Sequence, residues 1–112
     1  MKNLRTAYLL DFYDNMLSSK QREILDMYYR EDMSLAEISS EIGMTRQGVY
    51  DYIRRGEKEI TSMEDKMRLM DRFLEISKAI DTFESLVKCG EVIDSETYDK
   101  IKSEIEKIKS LI

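Results

Sequence analysis

Between Thr45 and Lys58 the chain carries side chains suited to gripping and reading a polyanion: Thr45, Arg46, Gln47, Tyr50, Asp51, Arg54, Arg55 and Lys58. Arginine supplies a rigid, permanently charged fork for phosphate, and the Gln47 amide can pair with both the donor and the acceptor of an adenine edge. Helical spacing sets Gln47, Asp51, Arg54 and Lys58 on one face, with Arg46 and Tyr50 flanking, opposite the apolar Val49 and Ile53. A helix entering a nucleic-acid groove would use that face, Gln47 at a base edge and Arg46, Arg54 and Arg55 on phosphates. Asp51 faces the same polyanion and opposes it.

The inventory elsewhere points away from catalysis. Histidine is absent, the single cysteine is Cys89, and no glycine-rich phosphate loop or serine-centred elbow occurs. Nucleophilic and histidine-based mechanisms are excluded on that ground. Carboxylates are numerous but interleaved with bases, as in Glu104, Glu106, Lys107 and Lys109, the pattern of a solvated helix face. Without clustered soft or imidazole ligands no metal site is expected, and no cofactor. The expectation is a protein that is not an enzyme.

Charge tempers the nucleic-acid reading. The net formal charge is −5, from 18 basic and 23 acidic side chains, whereas DNA-binding domains usually carry a basic excess. Residues 1–16 balance, residues 17–60 hold seven positive against nine negative groups, and residues 61–112 nine against twelve. Only around the presumed recognition helix does the sign reverse, where Arg46, Arg54, Arg55 and Lys58 outnumber Asp51 and Glu57. Affinity for a duplex should therefore be modest and salt-sensitive.

The elements that must position these residues follow from caps and periodicity. With 112 residues, no proline and four glycines, an all-α protein is expected. Residues 4–16 place Leu4, Tyr8, Leu9, Phe12, Tyr13 and Met16 around a broad apolar face. Ser18, with Gln21 three residues on, starts a second helix through about Arg30 that turns Ile24, Leu25 and Tyr28 inward. Glu31 to Met33 reads as a loop. Ser34 with Glu37 has capping-box spacing, Gly43 can adopt the left-handed conformation that ends a helix, and Thr45 caps the next one. That is a helix-turn-helix, with Ile38, Ile42, Met44, Val49 and Ile53 to be buried and small Ser39 at the close approach. Regularity weakens near Gly56, and Thr61 with Glu64, or Ser62 with Asp65, offers a new start. The expected organisation is a helix-turn-helix head over residues 1–60 and an antiparallel helical hairpin over residues 61–112.

The tail has two coiled-coil seams. Leu69, Phe73, Ile76, Ile80, Phe83 and Val87 follow a 4-3 alternation, and so do Tyr98, Ile101, Ile105, Ile108 and Ile112 after the Cys89-Gly90 end, the Glu91 link and an Asp94/Ser95 cap. An antiparallel hairpin would bring Val87 near Tyr98 and Phe73 near Ile112. Two helices bury such seams poorly alone, so this pair either packs on the head or meets a second copy in a homodimer. Met63, Met67 and Met70, beyond the shorter helix's reach, join Leu69, Phe73, Ile76, Ile80 and Phe83 as the candidate partner or dimer surface. The lone cysteine cannot form an internal disulfide and suits a reducing cytoplasm. Asp11 interrupts the N-terminal apolar stretch too soon for a signal peptide or membrane span, so a cytoplasmic protein without membrane contact is expected.

The run Leu-Ser-Ser-Lys-Gln-Arg-Glu-Ile-Leu from Leu17, Ser-Leu-Ala-Glu-Ile from Ser34 and Thr-Arg-Gln-Gly-Val-Tyr-Asp-Tyr-Ile-Arg-Arg from Thr45 resembles region 4 of bacterial sigma factors. More closely, the whole chain, including Leu-Leu-Asp-Phe-Tyr at residues 9–13 and the helical tail, resembles the YlxM family of small bacterial helix-turn-helix proteins. Its most specific piece is Arg46 to Asp51. That family usually has alanine where this chain has Gly48, which should loosen the helix by ~1 kcal/mol without changing the fold. The resemblance implies a regulatory role tied to the signal recognition particle, beside whose targeting GTPase members are encoded. The partners it implies are the particle's RNA or that GTPase. From the residues alone, duplex DNA and a purely protein partner stay open.

Overall fold

A computed structural model of the chain describes residues 2–87 and 94–111. Six α-helices and no strand occur among them: α1 (Leu4–Tyr13), α2 (Ser19–Leu25), α3 (Leu35–Ile42), α4 (Arg46–Met67), α5 (Leu69–Val87) and α6 (Ser95–Leu111). They form two compact units, Met1–Arg68 and Leu69–Ile112.

In the first unit each helix begins on the cap its sequence provides. Asn3 accepts from the amides of Arg5 and Thr6, Ser18 and Gln21 form a reciprocal capping box, Ser34 and Glu37 form another, and Thr45 accepts from Gly48 N at 3.0 Å. Each satisfies amides that a helix start leaves without partners. Gly43 ends α3 in the left-handed region at φ 78°, and the Ser39 hydroxyl donates to the Met44 carbonyl across the turn. Leu10, Tyr13, Ile24, Leu25, Ile38, Val49 and Ile60 are fully buried, with Ile53 close behind. Burying an aliphatic side chain of this size contributes ~1.5–3 kcal/mol against leaving it exposed. Ile42 and Met44, expected in that core, are only half-buried.

Several local expectations change. The apolar face expected of α1 is narrower: Leu4, Tyr8 and Met16 are exposed, while Leu10 is buried. A 3-10 turn over Asp14–Met16 ends the helix and carries Met16 off its face. The second helix does not stay α-helical to Arg30, because Asp26–Arg30 widen into a single π turn, with Glu31 N donating to Asp26 O at 3.0 Å. Polar contacts hold that turn. The Arg30 guanidinium reaches Asp11 (2.8 Å), Asp14 (3.1 Å) and Asp26, and Lys2 Nζ sits 4.1 Å from the Tyr28 ring centre while donating to the Tyr28 and Met33 carbonyls. Three carboxylates around one guanidinium keep Arg30 protonated beyond its ordinary range.

Gly56 is not a point of weakness. It is buried where α4 crosses α2, and a Cβ there would come within 2.5 Å of Leu25 Cδ1, so glycine is what permits the approach. α4 accordingly runs unbroken past residues 60 and 61, and the start expected at Thr61 or Ser62 is not used. The helix ends instead at Arg68, which takes φ 54° and donates its amide to Glu64 O at 2.7 Å. The two units divide there.

In the second unit α5 and α6 pack against each other. α6 starts on Asp94, whose Oδ1 accepts from Thr97 N at 2.7 Å, a bond that favours the charged carboxylate and lowers its pKa. The expected seam is shifted around the helices: Leu69, Phe73, Ile80, Tyr98 and Ile105 are exposed, whereas Met70 and Ala79 are buried and Ile76, Phe83, Ile101 and Ile108 half-buried. A seam chosen by side-chain size overlooks Ala79, which is small and buried. The expected pairing of Phe73 with Ile112 and the link at Cys89, Gly90 and Glu91 lie outside the described residues.

Candidate nucleic-acid interface

The turn from α3 into α4 sets the site. Thr45 caps α4, its hydroxyl engaged by Gly48, so Arg46 and Gln47 occupy the first turn, where helix-turn-helix domains present side chains to base edges. Val49 and Ile53, buried beneath, fix the rotation of the helix. With these as the floor, Arg46, Gln47, Tyr50, Asp51, Arg54, Arg55 and Lys58 all stand exposed, the arrangement that the helical wheel predicts. Thr45 is exposed beside them.

Within this face the groups are ordered. Gln47 Nε2 donates to Asp51 Oδ1 at 3.0 Å, one turn along the helix. The Arg54 guanidinium lies 5.9 Å from the Tyr50 ring centre, and that of Arg55 4.8 Å from the Tyr52 ring centre. Such stacking lowers the freedom of long side chains before any ligand arrives. Tyr52 was not among the expected site residues, although its spacing of three from Arg55 on a helix is a readable signal.

Charge is sorted across α4. Glu57 accepts from the Tyr29 hydroxyl at 2.7 Å, Glu59 accepts from Gln21 Nε2 at 3.2 Å, and Glu64 is buried and accepts from the Tyr13 hydroxyl. Of these three carboxylates Glu64 is buried, Glu57 half-buried and Glu59 exposed, each bonded to a residue of another element. Burial first, then the bond to the Glu57 carboxylate, raises the Tyr29 hydroxyl well above its ordinary pKa of 10.0, which keeps it a donor. None of these pairings was legible in sequence, since the partners lie on α1, α2 and the π turn. Arg54 and Lys58 also border a shallow open groove with Thr6, Thr61 and Ser62, alongside Glu57 and Asp65.

The candidate partner surface is less uniform. Met63 is half-buried and Met67 exposed in the first unit. In the second, Met70 is 3% exposed and thus no part of an open surface, Ile76 and Phe83 are half-buried, and Leu69, Phe73 and Ile80 are exposed. No described helix is long and apolar enough to cross a membrane.

Comparison with known proteins agrees with this architecture. A family profile described as "Putative helix-turn-helix protein, YlxM / p13 like" matches residues 1–110. The chain is 36% identical over 110 residues to a UPF0122 protein of Bacillus thuringiensis, covering 98% of this chain and 96% of that protein, and equally so to one of Bacillus cereus. A UPF0122 protein of Shouchella clausii is 41% identical over 100 residues, 83% of this chain and 92% of its own length. Similarity that runs through the caps, the turn and both tail helices is more than a shared motif, and the chain belongs to the YlxM/p13-like helix-turn-helix family UPF0122.

Proposed function

We propose that this protein is a cytoplasmic regulator, not an enzyme, that binds nucleic acid through the exposed N-terminal half of α4. The carrying observation is the pairing of charge on that helix, with Arg46, Arg54, Arg55 and Lys58 exposed while Glu64 is buried against the Tyr13 hydroxyl, half-buried Glu57 accepts from Tyr29, and Glu59, though exposed, accepts from Gln21. A B-form major groove admits a helix whereas the narrow major groove of A-form RNA does not, so duplex DNA suits this face best. With few basic side chains on this face and a net charge of −5, binding is modest and weakens as salt rises. Arg46→Ala and Arg54→Ala should each weaken binding several-fold and reduce the salt slope by about one, with unchanged circular dichroism melts. Variants that bind like wild type, together with a flat salt dependence, would refute contact through this helix.

The acidic balance favours a second reading, in which the partner is the signal recognition particle to which the family resemblance points. Added protein should then alter nucleotide turnover by the targeting GTPase while showing no hydrolysis alone, and any change in equilibrium affinity must be reciprocal. Coupling through the particle's RNA needs Arg46 and Arg54 and fades with salt, whereas coupling through protein contact at Met63 and Met67 survives both. Unchanged turnover at saturating protein, with no co-elution, removes the targeting pathway and leaves transcriptional regulation.

A further inference from the structure

Asp51 is the acid on the front of α4 that the fold leaves turned toward a ligand. Among the described residues its hydrogen-bond partner is Gln47, at 3.0 Å, and neither neighbouring arginine bridges to it, because Arg54 and Arg55 lie over the Tyr50 and Tyr52 rings instead. It therefore has an unused oxygen in the middle of the face that Arg46, Arg54 and Arg55 share. An ionised carboxylate only accepts hydrogen bonds, and so do phosphate oxygens, so toward the backbone of a nucleic acid Asp51 is purely repulsive. The donors that a major groove offers are exocyclic amines, N4 of cytosine and N6 of adenine. The adenine amine stands beside the N7 acceptor, which repels a carboxylate; the cytosine amine has no acceptor beside it on its own base. The Gln47 bond holds the carboxylate at the first turns of α4, where base edges are reached, and leaves the amide oxygen and one amide hydrogen for a neighbouring base.

We propose that Asp51, oriented by Gln47, is the specificity-determining residue of this interface and accepts a hydrogen bond from N4 of one cytosine in the major groove of duplex DNA. The inference rests on the nucleic-acid reading above and adds its base preference. Asp51 acts in two ways at once: it rewards a register that places cytosine beneath it and penalises registers that offer only phosphate.

Selection from a randomised duplex pool at low salt, with the bound fraction sequenced, tests this on the full chain. Wild type should enrich cytosine at one position by roughly ten-fold over thymine, within the range for a single well-placed base contact. Asp51→Ala should abolish that enrichment while raising affinity for unselected duplex a few-fold. Asp51→Asn should move the preference to adenine, because an amide pairs with N6 and N7 together. Asp51 is exposed, so both variants should melt like wild type. Enrichment that persists in Asp51→Ala, or salt-dependent binding by wild type with no base preference, overturns the inference while leaving the binding reading intact. A cytosine preference found only with unpaired RNA overturns the assignment to duplex DNA. No binding by wild type to any pool overturns both.

Discussion

At the scale of single residues, what distinguishes this head is where each acid of α4 finds its partner. Tyr29 and Glu57 illustrate the energetics. The neutral hydroxyl donates to the carboxylate at 2.7 Å, and loss of its proton would set two anions together. Because the folded pKa of Tyr29 lies above its unfolded value of 10.0, the stabilisation is complete below that pH and disappears as pH rises through the folded value. Thermal melts on the alkaline side of 10.0 should therefore fall for wild type and fall less for Tyr29→Phe, which near neutrality costs about 1 kcal/mol for the lost hydrogen bond. Equal alkaline slopes in the two proteins would refute the role of this pair. Val49, fully buried under the recognition face, is the sterner case. Val49→Asp should unfold the head, since an unpaired buried carboxylate costs several kcal/mol, and circular dichroism reads the loss directly.

Among the elements, α4 is central because it packs against α1, α2 and α3 while presenting its front to a ligand. Its contact with α2 depends on Gly56 beside Leu25. In wild type, Gly56→Ala gains ~1 kcal/mol of helix propensity but loses ~1–3 kcal/mol to overpacking, for a net destabilisation of about 1 kcal/mol. In a Leu25→Ala background the obstructing branch is gone, and the same substitution should become neutral or stabilising. Denaturant titration of the four proteins measures that coupling, and additive effects would mean that the crossing is not set by this contact.

For the whole molecule, the tail raises the question of assembly. α5 leaves Leu74 and Ile80 exposed and α6 leaves Ile105 exposed, apolar side chains that two helices do not cover by themselves. We propose that a second copy does so. Sedimentation equilibrium should give a dimer at micromolar concentration, and Ile80→Glu, a charge in the middle of that face, should give a monomer. A wild-type protein that stays monomeric at high concentration refutes the dimer.

Much of the head was legible because its signals are local. Ser18 with Gln21, Ser34 with Glu37, Gly43 and Thr45 act within one turn of chain, so their spacing alone placed the helix starts, the turn and the outward face of α4. Helical periodicity likewise put Arg46, Gln47, Asp51 and Arg54 on one side, since Val49 and Ile53 had to be on the other. Tertiary structure decided what depends on distant partners. Gly56 weakens a helix by its intrinsic propensity, yet here it is the point of close approach to Leu25, a residue on another helix. The π turn at Asp26–Arg30 owes its contacts to Lys2, Asp11 and Asp14, which no local pattern foretells. The tail seam could not be phased by size because Ala79, small and buried, carries almost no hydrophobic signal of its own. Sequence determined the polarity of each helix; packing determined which acids of α4 found partners on other elements, Glu57 at Tyr29, Glu59 at Gln21 and Glu64 at Tyr13, while Asp51 is bonded within α4 to Gln47.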